Sequence, residues 1–158
     1  MLIDKIDKKI LAQLVDNSKV MSKELSRKLR IHPNTLLQRL KKLEKERILV
    51  KYSAVVDYNK FDKRLQALIF INVDMAKGWE AVLQPIAKLP EVVSLILITG
   101  EYDALLIARV KDDQHLASLL RRIQTNRIVT KTTSHLILDY YKHSYEYNPL
   151  KAELKFSE

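Results

Sequence analysis

The spacing of apolar residues changes character along this 158-residue chain, and the change limits the folds open to it. Up to about residue 47, apolar side chains recur three and four apart, as amphipathic helices require. Beyond residue 65 they crowd into unbroken runs, Ala67-Leu-Ile-Phe-Ile71, Leu95-Ile-Leu-Ile98 and Ala104-Leu-Leu-Ile-Ala108, with helical spacing between them. A helical first third followed by a mixed remainder predicts an α+β protein of two small domains, which 158 residues can supply.

Charge divides at nearly the same place. Residues 1–60 carry 15 Lys+Arg against 7 Asp+Glu, whereas residues 61–158 carry 13 against 12, so eight of the nine net positive charges lie in the first segment. One end suits a polyanion and the other does not. No apolar run reaches the roughly 18 residues that span a bilayer, and the first residues lack the apolar core of a signal peptide. A cytoplasmic protein with no membrane partner is expected. The absence of cysteine excludes disulfides, thiolate metal sites and a cysteine nucleophile.

In the basic segment, Ile6, Ile10 and Leu14 mark a first helix, with Asp4 or Asp7 at its start, where a carboxylate suits free amides. Ser22 is placed to cap a second helix that buries Leu25 and Leu29. Pro33 is placed as the first residue of a third, running to about Arg47. On that third helix Leu36, Leu40 and Leu43 share one face. Asn34, Gln38, Lys41 and Lys45 share the opposite one, with Thr35 and Lys42 near its edges. Amides and a hydroxyl at the N-terminal end can read base edges, and the ammonium groups behind them can hold phosphates. A solvated basic helix is the alternative reading of the lysines alone. The residues after it, Ile48-Leu-Val-Lys-Tyr-Ser-Ala-Val-Val-Asp57, are β-branched and apolar and predict an extended wing and connector, from which Lys51 and Tyr52 could either touch DNA or pack.

The near-neutral segment predicts strands at 65–73, 92–99, 104–110 and 129–139. One helix starts at Trp79 with Val82, Leu83 and Ile86 inward; another starts near Asp112 or Asp113 with Leu116, Leu119, Leu120 and Ile123 inward. Pro85 should kink or split the first of these. The order βαββαβ predicts a ferredoxin-like sandwich, with both helices on one face of an antiparallel sheet. Strands apolar at consecutive positions leave the other face in need of a cover, most simply the same sheet of a second copy. A homodimer held through this domain follows as an expectation, with a tetramer or octamer left open.

The stretch Glu24-Leu-Ser-Arg-Lys-Leu-Arg-Ile-His-Pro-Asn-Thr-Leu-Leu-Gln-Arg-Leu-Lys-Lys-Leu-Glu44, followed by Ile48-Leu49, resembles the helix-turn-helix of the Lrp/AsnC, or feast/famine, transcription regulators. The match is carried by Glu24, Leu25, Arg39, Leu43, Glu44 and Leu49. Arg30 and Arg47 stand where that family usually has glycine, and His32 where it usually has a Ser or Thr cap. The neutral half resembles the family's amino-acid-sensing RAM domain, most specifically at Gly100-Glu-Tyr-Asp103 and at Thr132 and Ser134.

The resemblance, which covers about residues 1–139, implies four parts. These are a winged helix-turn-helix at 1–50, a wing and connector at 51–64, a ferredoxin-like dimerisation and effector domain at 65–139, and a tail at 140–158. It implies double-stranded DNA as partner, with Ser22, Lys23, Asn34, Thr35, Gln38, Arg39, Lys41, Lys42 and Lys45 as the contacting set, Arg39 either on phosphate or bracing the domain. It also implies a small amino-acid effector held by Gly100, Tyr102, Asp103, Thr132 and Ser134; a tight turn built by Gly100 and Asp103 is the competing account.

Chemistry of other kinds finds no support. His32, His115, His135 and His143 are not at metal-ligand spacing, and there is no glycine-rich phosphate loop, nucleophile motif or dinucleotide fingerprint. No enzyme, metal or cofactor is expected. The alternatives retained are an effector-independent architectural DNA-binding protein and a winged-helix module for RNA or protein. The tyrosine-rich tail Tyr140-Tyr-Lys-His-Ser-Tyr-Glu-Tyr-Asn-Pro-Leu150 carries no motif and leaves an edge strand, a subunit contact or fraying all open.

Overall fold

The computed structural model describes residues 3–61, 65–74, 76 and 78–155, so residues 62–64 of the expected connector and 156–158 of the tail lie outside the described residues. The chain divides into two compact units. The first joins Met1–Val56 to Tyr141–Glu158, and the second is Asp57–Tyr140.

In the first unit, α1 spans Lys5–Asp16. Asp4 is its cap: Asp4 Oδ1 accepts from the Asp7 amide at 2.8 Å, and Asp7 Oδ2 accepts from the Asp4 amide at 3.3 Å. Two carboxylates thereby close a reciprocal capping box. The next helix, α2, spans Ser22–Leu29, and its cap is Met21, with no side-chain bond. Ser22 therefore does not cap it, because a cap needs the extended backbone that Met21 adopts (φ −69°, ψ 140°), while Ser22 is already helical. Arg30 ends α2 in the left-handed region (φ 53°), and this turns the chain so that the Ile31 amide reaches the Ser26 carbonyl at 3.0 Å.

The third helix, α3, spans Pro33–Lys45 with Pro33 at its first turn. His32 caps it after all: Nδ1 accepts from the Asn34 amide at 3.2 Å, in the role a Ser or Thr hydroxyl would fill. Past α3, Arg47 is left-handed (φ 54°), and the amides of Ile48 and Leu49 both reach the Leu43 carbonyl, at 2.9 and 3.0 Å. Ile10, Leu11, Leu14, Leu25, Leu36 and Leu43 form the buried core, with Ile6, Val20, Leu29, Ile31, Leu40, Ile48, Leu49 and Leu150 packed around it.

Residues 50–57 form no strand, so the expected wing has no ladder among the described residues. Valines at 50, 55 and 56 favour an extended chain, but a strand also needs a partner edge, and none lies alongside among the described residues.

The second unit opens with a 3₁₀ turn at Tyr58–Lys60, where Asp57 Oδ1 accepts from the Asn59 amide at 3.0 Å. Then follow β1 (Leu65–Val73), α4 (Trp79–Ala87), β2 (Val92–Leu97), β3 (Ala104–Val110), α5 (Asp113–Gln124) and β4 (Val129–Leu136). The sheet is antiparallel in the order β2-β3-β1-β4, the ferredoxin-like arrangement. Asp112 caps α5 by accepting from the His115 amide at 2.8 Å. Contrary to expectation Pro85 does not split α4, which ends only two residues later. A proline this near the C-terminus sacrifices one hydrogen bond in a turn that is closing anyway.

One face of the sheet packs on α4 and α5. There Ala67, Ile69, Ile71, Ala104, Leu106, Ala108 and Val110 meet Val82, Leu83, Ile86, Leu119 and Ile123. The register places Leu68, Phe70, Leu105 and Ile107 on the opposite face, only half-buried, with Ile96 beside Leu105 and 45% exposed. The consecutive apolar residues of the sequence are thus two faces, of which the helices cover one.

The tail is not frayed over its described length. A 3₁₀ turn at Ser144–Glu146 leads into α6 (Pro149–Lys155), which packs on α1, with Leu150 entering the core of the first unit.

Candidate functional site

On α3, the side chains of Asn34, Thr35, Gln38, Lys41, Lys42 and Lys45 are all exposed, while Leu36 and Leu43 are fully buried on the other side. At ~100° per residue, Asn34, Gln38, Lys41 and Lys45 fall within a sector of about 60°. The helix therefore presents one stripe, amide-bearing at its N-terminal end and cationic toward its C-terminal end. Ser22 and Lys23 are exposed on the first turn of α2, so a phosphate could reach both.

Arg39 does not belong to that stripe. Its Nη1 donates to Asp4 Oδ2 at 2.6 Å and to Asp7 Oδ1 at 2.7 Å, and the Asp7 side chain is 4% exposed. Of the two roles expected for Arg39, the internal brace is the one it fills. The Asp7 backbone amide, and after it the guanidinium, holds the Asp4 carboxyl below its ordinary range. Tyr52, though exposed, bonds within the unit, its hydroxyl donating to Glu44 Oε1 at 3.1 Å, and partial desolvation followed by that carboxylate raises its pKa.

In the second unit the residues expected to hold an effector are divided by the sheet. Thr132 and Ser134 pair with Ile71 and Ile69 and so lie on the helix-covered face, where Gln124 of α5 donates to Thr132 Oγ1 at 2.7 Å. Tyr102 lies on the open face. Its ring stands 4.9 Å from that of Phe70, and its hydroxyl meets Thr133 Oγ1 at 3.4 Å. Gly100 (φ 115°) makes the turn between β2 and β3. Asp103 Oδ2 accepts from the Val73 amide at 2.9 Å, where the β1–β4 register slips. Asp103 thus fills the role of a local turn brace.

Residues that the sequence did not single out complete this corner. Asn72 Nδ2 donates to the Glu101 carbonyl at 2.8 Å, leaving its buried Oδ1 without a partner among the described residues, and Lys131 Nζ lies 5.3 Å from the Tyr102 ring centroid. Alternation in β1 identifies Asn72 as a polar residue on the face of Phe70, which was the available signal.

A separate cluster joins the loop before β2 to α5. The Glu91 side chain, 7% exposed, accepts from Arg122 Nη2 at 2.5 Å and lies 2.9 Å from His115 Nε2. His115 Nδ1 accepts from the Lys111 amide at 3.3 Å, which assigns the proton to Nε2. Burial raises the Glu91 pKa, but its hydrogen-bond donors outweigh burial and leave it below the ordinary value.

Comparison with known proteins agrees with both units. A model described as winged helix-turn-helix DNA-binding matches residues 3–50, and one described as the Lrp/AsnC ligand binding domain matches residues 66–147. The transcriptional regulator FL11 of Pyrococcus furiosus is 29% identical, over 92% of this chain and 95% of its own. The HTH-type regulator YugG of Bacillus subtilis is 31% identical, over 85% and 84%. Among solved structures, a transcriptional regulator of Neisseria meningitidis in complex with L-methionine is 31% identical, with a TM-score of 0.84 over 90% of this chain and 94% of that one. The structure of Escherichia coli AsnC has a TM-score of 0.83 at 24% identity, over 90% and 97%, and speaks for the fold. With the helix-turn-helix unit, the ferredoxin-like unit and both matches in agreement, the chain belongs to the Lrp/AsnC family of helix-turn-helix transcription regulators.

Proposed function

We propose that this regulator reads duplex DNA as a two-fold dimer, with Asn34, Thr35 and Gln38 on base edges and Lys41, Lys42 and Lys45 on phosphates. The observation that carries this reading is the exposed stripe of α3, polar first and cationic after, on a helix whose opposite side is sealed by Leu36 and Leu43. Ser22 and Lys23 add a second backbone contact from α2. The half-buried apolar face of Leu68, Phe70, Leu105 and Ile107 pairs with its copy. Two-fold pairing then selects imperfect inverted repeats with half-sites about one helical turn, or a multiple, apart.

Selection of bound duplexes from a random pool, with oligomer size measured alongside, tests this. Enrichment of an inverted repeat is expected, and enrichment of nothing contradicts it. In the selected duplex, Gln38→Ala should alter base preference. Lys42→Ala should instead weaken all duplexes alike and reduce the slope of log K against log salt by about 0.9.

A small amino acid is the proposed effector. The Neisseria protein solved with L-methionine supports this, as does the corner at Gly100–Asp103, where Asn72, whose Oδ1 has no partner among the described residues, pairs in register with Lys131, and Lys131 Nζ lies over the Tyr102 ring. A zwitterion needs donors and acceptors close together. An effector-independent regulator is the second reading. It is favoured by the engagement of Asp103 with Val73 and of Thr132 with Gln124. Titration calorimetry with L-methionine and the other amino acids separates the two: heat of binding that Asn72→Ala abolishes supports the effector, and silence across the panel supports the alternative.

A further inference from the structure

The first unit is built from both ends of the chain. At the C-terminal end of α1, Asp16 sits in a last turn that has no basic residue, so its charge opposes the helix dipole. The tail corrects this. Lys151 Nζ lies 2.7 Å from Asp16 Oδ2, and Asn148 Nδ2 donates to Asp16 Oδ1 at 2.8 Å and to the Ala12 carbonyl at 2.9 Å. Lys151 first, then Asn148, hold the Asp16 carboxyl below its ordinary pKa. The tail reaches this place as a built element: Glu146 Oε1 accepts from the His143 amide at 3.1 Å, the His143 and Tyr145 rings stack at 4.7 Å, and Pro149 opens α6.

The other end of α1 holds the reading helix, because Asp4 and Asp7 grip Arg39, the residue next to Gln38. One rigid rod of 12 residues, about 18 Å long, thus has the tail fastened to one end and α3 to the other. Residues 141–158 carry three lysines and three glutamates, so the segment adds no net charge toward a polyanion. Any effect of the tail on DNA must come through position.

We propose that Asn148 and Lys151 are positioning residues for DNA reading: they fasten the C-terminal end of α1, and α1, through Asp4 and Asp7, sets Arg39 and with it the stripe of α3. The proposal rests on the reading of α3 given above. It separates the tail from the phosphate-binding lysines by a measurable signature, since a positioning residue changes affinity without changing the number of counterions released.

The test uses the full chain carrying Asn148→Ala with Lys151→Ala, and the charge exchange Asp16→Lys with Lys151→Asp. Affinity for selected and unrelated duplexes is followed by fluorescence anisotropy across a salt series, and α1 amides by hydrogen exchange. The double alanine variant should lose affinity about fivefold or more, the low end of ordinary coupling between sites. It should lose it on every duplex, with an unchanged salt slope and faster exchange in α1; the charge exchange should recover most of the loss. Unchanged affinity overturns the proposal. A salt slope reduced by about 0.9 overturns it too, by making Lys151 a phosphate contact. A charge-exchanged protein as weak as the alanine variant does the same. Wild-type protein that binds no duplex overturns the reading of α3 and this proposal together, whereas intact wild-type binding with unaffected variants overturns this proposal alone.

Discussion

Arg39 illustrates how a residue can match a family pattern and still do its work inside the fold. Its guanidinium, 25% exposed, satisfies two carboxylates, and one of them, on Asp7, is almost wholly buried. Removing it strands the Asp7 charge, so Arg39→Ala should cost about 2 kcal/mol, the range for hydrogen bonds to charged groups, measured by urea unfolding. Arg39→Lys should recover only part, because a single ammonium cannot reproduce the guanidinium fork.

The same residues set the response to acid. Asp4, Asp16 and Glu91 all have carboxyls held below their ordinary values. A depressed folded-state pKa means that the unfolded chain binds protons first as pH falls. The stabilisation is therefore complete above the ordinary carboxylate range near pH 4 and is lost as pH drops through the folded values. Thermal unfolding followed from pH 7 to pH 2 should show a plateau and then a decline starting near pH 4. A decline already under way between pH 7 and pH 5 would contradict this assignment.

At the scale of elements, the helices and strands were legible because their signals are local. Pro33, the buried leucines of α3 and the limits of β1 and β3 follow from spacing alone. Ser22 was misread because a good capping residue one position late is still helical. Pro85 was misread because the penalty of a proline depends on how much helix follows it. Positive φ at Arg30 and Arg47 was legible only through the resemblance, since neither residue advertises it. Strain of about 1 kcal/mol at each position is expected for a side chain in this conformation. Arg47→Gly should raise stability by up to about 1 kcal/mol, less what the more flexible unfolded chain takes back. Denaturant midpoints of wild type and variant check the sign. The residues proposed for an effector were named by the resemblance, but their geometry was not legible, because pairing register decides which face each residue of β4 occupies. The resemblance groups Tyr102 with Thr132, and the sheet stands between them.

At the scale of the whole molecule, the tail was beyond reach because its partners are far away in sequence: Asn148 meets Ala12 across 136 positions, and no local periodicity encodes such a contact. The open face of the sheet was legible, since unbroken apolar runs require two covers and the helices supply one. A charge placed there, as in Phe70→Asp or Ile107→Glu, should shift the protein to monomer in analytical ultracentrifugation at micromolar concentration, while leaving α4 and α5 folded by circular dichroism. An unchanged sedimentation coefficient would exclude this face as the subunit contact.

The closure of the first unit by residues beyond Tyr140 has a consequence for biosynthesis. Domains generally fold in the order in which they leave the ribosome. Here the sheet unit is complete in sequence at Tyr140, while the first unit waits for residues made after it. The nascent protein thus owns a finished sheet unit before its helix-turn-helix unit receives α6, so the proposed pairing face is in place before the proposed reading head is complete.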